Sequence, residues 1–312
     1  MIDTAPNPTT RRRSSARAGR VIAVAGLVVV ALVVCSWIPG VVGTAAAAAL
    51  PWCGLILGVL VVLALILARR VTLILLAPIL IWALALLPSA PGLAAAAPAQ
   101  STPIQIVSQN VRAHSGGAAA SATGIADLSA DVVALTELDA DSLQAAREIL
   151  APDYPHSYAI GTVAVWSRYP IAEAEGLTLG LDWKRALRVV VNTPDGDVAV
   201  YVMHAASVRP GVQQERDTML SGIADAVAVD EAESIVVVGD FNAASADPAL
   251  RAARSQLDWV RPTDGTLGLT WPAALPLARI DHVFVRGMTV LASTTARVGN
   301  SDHLATVTTL SP

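Results

Sequence analysis

Six short apolar runs between residues 104 and 309 end in, or open on, a carboxylate, an amide or an imidazole. Residues 104–108 lead to Asn110, residues 132–135 to Glu137, and residues 198–203 to His204. Residues 235–238 deliver Asp240 and Asn242 together, Asp281 lies in the run 280–285, and Asp302 and His303 precede the run 304–309. Polar groups at the ends of tightly packed strands keep little rotamer freedom, which is what catalysis asks of them. Glu137, Asn110, Asp240 and Asp302 are oxygen donors of the kind a hard divalent cation takes. No Cys lies beyond Cys53 and the five His lack zinc-type spacing, so Mg²⁺ or Mn²⁺ is expected rather than Zn²⁺. Taken singly, each residue also has a structural reading. Glu137 suits a solvated strand end, Asp281 a turn carboxylate, His204 a satisfied core histidine, and Asp240 with Asn242 an Asx turn. The repetition of one device favours a shared site.

The elements that must position these groups alternate. Strands are predicted at 104–108, 132–135, 162–166, 187–191, 198–203, 235–238, 280–285 and 304–309, and helical stretches at 124–128, 142–150 and 212–229. In the last stretch Val212, Glu215, Met219, Ile223 and Ala226 share a helical face. Other strands are separated only by turns, as at Thr193-Pro194-Asp195-Gly196. This mixture predicts an α/β protein with partly antiparallel sheets and helices on their outer faces. No strand is followed by Gly-x-Gly-x-x-Gly or by a Walker-type loop, which disfavours the parallel nucleotide-binding folds.

Asn110, Thr136-Glu137-Leu138, Trp166-Ser167-Arg168-Tyr169-Pro170-Ile171, His204, Gly239-Asp240-Phe241-Asn242-Ala243, Ile280-Asp281-His282-Val283 and Ser301-Asp302-His303 stand in one order along the chain. In these residues the region 103–310 resembles the endonuclease/exonuclease/phosphatase superfamily of DNase I-like fold, which includes inositol-polyphosphate phosphatases and bacterial sphingomyelinases. The resemblance implies a four-layer α/β sandwich, two mixed sheets flanked by helices. It also implies hydrolysis of a phosphate ester with Mg²⁺ (or Mn²⁺) held by Glu137, Asn110 and Asp302. Asp281 would orient His303, Asp240 and Asn242 would position water and phosphate, and His204 would bond a non-bridging oxygen. The resemblance leaves open whether His303 or Asp240 takes the proton of water. Arg168 is a further candidate for phosphate contact. Position 136 is Thr where the family often has Gln. His114 and His282 are left out, since His282 alternates with Asp281 and should face the other side of its strand.

The first third of the chain is a different object. Residues 1–100 carry seven Arg and one acid, for +6, whereas residues 101–312 carry 14 basic and 24 acidic residues, for −10. Between residues 21 and 68 no charge interrupts 48 positions, enough for two crossings of a bilayer at about 20 residues each. Helices are expected near 21–38 and 50–68, with a third at 71–87. The domains are then a basic N-terminus (1–20), a three-helix membrane anchor (21–87), a Pro/Ala linker (88–102) and the domain 103–312. Arg11, Arg12, Arg13, Arg17 and Arg20 precede the first helix and Arg69 and Arg70 follow the second, so the positive-inside rule places these in the cytoplasm and the domain outside. Cys35 and Cys53 are expected to be inert thiols or a pair. With three helices before it, the layout also resembles the membrane-anchored actinobacterial phosphatases linked to teicoplanin resistance.

Charge and tether suggest the substrate. Duplex binding needs Lys and Arg to neutralise phosphates, and the acidic domain offers one cluster, Lys184, Arg185 and Arg188. Nucleic acid is therefore disfavoured. The expected partners are the lipid bilayer and a phosphorylated membrane-associated substrate, such as a polyprenyl diphosphate or a phospholipid headgroup. The alternatives are an exported Mg²⁺-dependent nuclease and a non-catalytic domain that binds an envelope ligand.

Overall fold

The computed structural model describes residues 8–90, 101–209 and 211–312, with side chains from Arg13 onward. By its internal contacts the chain divides into a helical unit ending at Ser89 and an α/β unit that follows.

The helical unit holds α1 (Pro8–Cys35), α2 (Val41–Leu67) and α3 (Leu76–Leu86). The basic segment is not separate from the first helix, because Arg13, Arg17 and Arg20 ride on α1. Two helices, α1 and α2, are long and apolar enough to cross a membrane. The third expected span is a correction. Its α-helix has 11 residues, about 16 Å at 1.5 Å per residue against a hydrocarbon core of about 30 Å. Short 3₁₀ turns, Arg69–Val71 and Leu87–Ser89, flank it instead of further α-helix. Gly54 lets α3 approach α2 closely, since a Cβ there would stand 2.3 Å from the Trp82 ring. The Trp82 indole donates to the Leu50 carbonyl at 2.7 Å. Cys35 and Cys53 are free thiols. Most of the expected linker, residues 91–100, lies outside the described residues.

The α/β unit is built on two six-stranded mixed sheets. Its strands are β1 (Ile104–Asn110), β2 (Val132–Thr136), β3 (His156–Ile160), β4 (Val163–Ser167), β5 (Ile171–Leu177), β6 (Ala186–Thr193), β7 (Gly196–His204), β8 (Ser234–Asp240), β9 (Asp258–Trp259), β10 (Asp281–Arg286), β11 (Thr289–Ala296) and β12 (Ala305–Ser311). The first sheet runs β11-β12-β1-β2-β4-β3 and the second β5-β6-β7-β8-β10-β9. Its helices are α4 (Ala118–Ala126), α5 (Ala140–Leu150), α6 (Gln213–Ala228) and α7 (Arg251–Gln256).

Alternation along the strands sorts the core into layers. Ile104, Ile106, Val132 and Ala134 of the first sheet meet Val198, Val200, Val202, Val236 and Val238 of the second. The other face of the first sheet, Val107, Val133 and Leu135, packs under Ala122 and Ile125 of α4 and Ala146 and Leu150 of α5. The outer face of the second sheet, Tyr201, Met203, Ile235 and Val237, packs under Met219, Ile223 and Val227 of α6 and Ala253 of α7. The result is helices, sheet, sheet, helices, the four layers expected. Central strands buried on both faces read as unbroken apolar runs for this reason.

Candidate active site

The site forms where the inward columns of several strands change from aliphatic to polar. The Val198, Val200, Val202 column of β7 continues into His204, Val236 and Val238 of β8 continue into Asp240, and Val285 and Val283 of β10 run back to Asp281. Register places these ends in line: His204 pairs with Asp240 across the parallel β7–β8 ladder, and Asp240 pairs with Asp281 across the antiparallel β8–β10 ladder. From the first sheet, the column of Ile104 and Ile106 ends at Asn110, paired with Thr136. Glycine is required just before Asp240. Gly239 has φ +134°, and a Cβ there would sit 2.0 Å from the Met203 carbonyl oxygen.

Asn110 joins the two sheets. Its Nδ2 donates to Glu137 Oε2 at 2.7 Å and to Asp240 Oδ2 at 2.9 Å, while its Oδ1 accepts from the Arg112 backbone N–H at 2.9 Å. Named as an oxygen ligand by the resemblance, in this structure it aligns two carboxylates through its Nδ2. Glu137 stands in the left-handed region with φ +60°, about a third exposed, and so turns its carboxylate out of the core. Asp240 is further held by the Asn242 N–H at 2.8 Å and the Asn242 Nδ2 at 3.3 Å, and that same amide donates to the Ala205 carbonyl at 3.0 Å. Asn242 also adopts a left-handed φ, +47°. The Asx arrangement foreseen for Asp240 and Asn242 is present, and it places both side chains at the same strand end as His204.

His303 and Asp281 form the expected pair, Nδ1 to Oδ2 at 2.9 Å, with both side chains buried. Burial opposes a charged imidazole, but the carboxylates of Asp281, Asp240 and Asp302 outweigh it and push the His303 pKa up to about 9. Burial and the neighbouring Asp281 charge push Asp240 upward. Asp302 sits beside this pair rather than in it. Its carbonyl accepts from the Ala273 N–H at 2.6 Å, and its carboxylate takes no part in the buried group formed by Asp240, Asp281 and His303, whose ligand atoms lie within 4.8 Å of one another. Among the described residues that group is the one able to hold a metal ion. Its donor set of carboxylate oxygens and one imidazole, with Glu137 nearby and no thiolate, suits a hard divalent cation. Two buried carboxylates of like charge are also what a cation would neutralise.

His204 carries an unforeseen neighbour. The buried Arg185 brings Nη2 to 2.8 Å from His204 Nδ1 and 3.0 Å from Nε2, and Glu137 Oε2 lies 3.9 Å from Nε2. Desolvation, then the positive charges of Arg185 and His303, hold the His204 pKa well below its ordinary value, so the ring is neutral. Alternation could have found Arg185, since it continues the inward Val191, Val189, Leu187 column of β6, whereas Arg188 faces outward to Asp230 and Glu173. Arg216 of α6 was also missed; fully buried, it donates to the Asn242 carbonyl at 3.1 Å.

Arg168 is not brought to the site. Because β4 runs antiparallel to β2, Val163 pairs with Thr136 at the site end and Ser167 with Val132 at the other, about 13 Å away at 3.3 Å per residue. The guanidinium of Arg168 lies over the Tyr154 ring at 5.4 Å. His282 faces away as expected: its Nδ1 accepts from the Trp259 indole at 3.1 Å and its Nε2 meets the Ala243 carbonyl at 2.8 Å. His114 is exposed and pairs with Asp139 at 2.9 Å.

Residues 104–303 match the sequence profile of the Endonuclease/Exonuclease/phosphatase family. No curated protein sequence matches the chain. Among solved structures, a humanized D. rerio TDP2 carrying 14 mutations is similar with a TM-score of 0.59 and 20% identity, covering 68% of this chain and all of the other. An endonuclease/exonuclease/phosphatase family protein from Bacteroides thetaiotaomicron aligns with a TM-score of 0.56 at 16% identity, over 68% of this chain and 96% of its own. Sphingomyelinase C from Streptomyces griseocarneus aligns with a TM-score of 0.51 at 18% identity, over 68% of this chain and all of its own. At these identities the likeness is one of fold.

Proposed function

Because the chain belongs to the endonuclease/exonuclease/phosphatase family, we propose that it is a membrane-anchored, metal-dependent phosphoesterase acting on a lipid-linked phosphate or diphosphate. The observation that carries the reading is the Asn110 amide shared between Glu137 and Asp240, with the Asp281–His303 pair at the same strand ends. Glu137, Asp240 and Asp281 would hold Mg²⁺ or Mn²⁺, with Asp302 near them. When bound, the ion supplies charge neutralisation at the phosphoryl oxygens and the leaving group. Arg185 and the neutral His204 bond non-bridging oxygens of the phosphate. Asn242 and Asn110 fix Asp240 for the ion, and His303, kept protonated beside Asp281, is the proton donor to the leaving oxygen. Asp281 fixes the His303 tautomer by holding Nδ1, which leaves Nε2 for proton exchange.

The anchor comprises α1 and α2, with the arginines of the N-terminus and Arg69–Arg70 on the cytoplasmic side. No third helix among the described residues spans the bilayer. The uncharged residues 71–89 would return the chain to the outer side, α3 covering about 16 Å of the path and the turns before and after it the rest, and would place the α/β unit there. Such a layout would resemble that of the actinobacterial teicoplanin-resistance-type phosphatases. A reporter fused after residue 98 and active only in the cytoplasm would overturn the placement.

The activity test uses full-length protein in detergent with Mg²⁺ or Mn²⁺. Phosphate release from a polyprenyl diphosphate and from phospholipids is compared with nicking of plasmid DNA, with Glu137→Ala and His303→Ala as controls. Lipid hydrolysis lost in both variants is the expected result. Activity on DNA alone would overturn the substrate, and activity indifferent to both substitutions would overturn the site.

A further inference from the structure

Among the described residues of the α/β unit, five large apolar side chains stand exposed: Trp183, Val229, Trp271, Leu275 and Leu277. Val229 ends α6. The other four lie in two loops, residues 178–185 before β6 and residues 260–280 before β10. Both loops enter the second sheet at the strand ends that carry the site, because Ala186 pairs with Met203, next to His204, and Asp281 pairs with Asp240. Four of five exposed apolar groups therefore flank the reacting groups rather than scatter over the surface.

Each loop is tied to the site. Trp183 lies 4.7 Å from the guanidinium of Arg185, which bonds His204. Trp271 and Ala278 form a two-hydrogen-bond bridge, 2.9 and 2.8 Å, closing a short hairpin over residues 272–277. The hairpin is fastened from Ala273 N–H to the Asp302 carbonyl at 2.6 Å, and the Leu304 N–H reaches the Thr270 carbonyl at 2.9 Å, on both sides of His303. Trp271, Leu275 and Leu277 are thus held out on a fixed turn. Residues 266–278 contain no charged side chain, while Lys184 stands exposed beside Trp183. Exposed apolar side chains gathered in two loops that both adjoin one site mark a binding surface.

We propose that these two loops form a lipid-facing rim, with Trp183, Trp271, Leu275 and Leu277 seated at the boundary of headgroups and acyl chains and Lys184 against lipid phosphate. This deepens, and rests on, the reading of the enzyme as one for lipid-linked phosphates. Three features choose lipid over nucleic acid. Leu275 and Leu277 have no π-face for a base to stack on. The residues from 101 onward carry a net −10, which repels a polyphosphate chain. The same chain supplies two helices fit to cross a bilayer, and tryptophan, leucine and lysine together are the composition of membrane-interface surfaces.

The test uses the full chain with Cys35→Ser and Cys53→Ser, so that Leu275→Cys can carry an environment-sensitive dye in phosphatidylcholine–phosphatidylglycerol proteoliposomes. The reference is the same dye at the exposed Val229→Cys. A blue shift at position 275 but not at 229 is expected. Water-like emission at both overturns the rim, whatever the protein hydrolyses. A shift produced by a single-stranded oligonucleotide and not by lipid also overturns it. In parallel, Leu275→Ser/Leu277→Ser should slow hydrolysis of a polyprenyl diphosphate in proteoliposomes roughly tenfold, through KM, while p-nitrophenyl phosphate hydrolysis stays unchanged. An equal effect of the double substitution on both substrates, or none on either, overturns the rim. A blue shift in a protein that hydrolyses no lipid phosphate supports the rim and overturns the substrate reading.

Discussion

Asn110 and Asp240 belong to different sheets, yet the amide of one donates to the carboxylate of the other at 2.9 Å. The same nitrogen holds Glu137 at 2.7 Å, so one neutral donor spaces two acids that would otherwise repel. Replacing Asn110 with Ala removes that donor and leaves Asp240 buried with one hydrogen-bonding partner fewer. Hydrolysis is expected to fall by about 10²-fold or more, with a raised Mg²⁺ requirement and a native circular-dichroism spectrum. A metal titration of initial rates checks it, and an unchanged midpoint would show that the bridge does not shape the metal site.

Asp281→Asn keeps the size of the side chain but removes the charge that sustains the His303 imidazolium. The His303 pKa should drop from about 9 toward the ordinary value near 6.5, read by NMR of the ring in metal-free protein. Activity should fall by about 10²- to 10⁴-fold, because the ring loses both orientation and its charge partner. The sign for stability follows from a raised pKa. The Asp281–His303 contribution is full below pH about 6.5 and fades as pH rises through about 9, so metal-free wild type should lose more stability over that interval than Asp281→Asn.

What could be read beforehand, and what could not, follows burial. The eight strands expected from apolar runs are β1, β2, β4, β6, β7, β8, β10 and β12, all in sheet interiors. The four that were missed, β3, β5, β9 and β11, are the four sheet edges. An edge strand is half solvated, so its sequence mixes polar residues into the run, as Ile171–Leu177 does with Glu173 and Glu175. The site residues were legible because strand ends concentrate them. Strand direction is not legible in the sequence, and so Arg168, at the far end of β4, reads there as a candidate for phosphate contact. Arg185 precedes its strand rather than ending it, so it falls outside the strand-end device, although alternation along β6 points it inward.

Arg185 and Arg188 are three residues apart and should separate by function. Arg185→Ala is expected to cut kcat/KM by about 10²-fold with little change in Tm, since it removes a charged donor beside His204. Arg185→Lys should recover little of this, because a single ammonium does not reproduce the guanidinium fork. Arg188→Ala should lower Tm and leave the kcat/KM of the folded fraction intact. Parallel thermal melts and kinetics of the three variants decide it, and a loss of catalysis in Arg188→Ala alone would reverse the assignment.

Asp230 is the stability counterpart of the site acids. Arg188 reaches it from Nε at 2.7 Å and Nη2 at 3.0 Å, the Tyr201 hydroxyl donates at 2.6 Å, and the Ala232 N–H donates at 3.0 Å. Burial works against its charge, but the hydrogen bonds from Arg188, Tyr201 and Ala232 outweigh that and lower its pKa to about 2. A depressed carboxylate pKa contributes stability that is complete above the unfolded value near 3.9 and disappears as pH falls through about 2. Asp230→Asn should therefore cost about 3 kcal/mol at pH 7, where Arg188 loses its partner, and progressively less as pH falls from 4 toward 2. Urea unfolding at several pH values measures the difference. A gap between wild type and variant that stays constant down to pH 2 would mean that the Asp230 charge does not hold β6, β7 and the end of α6 together.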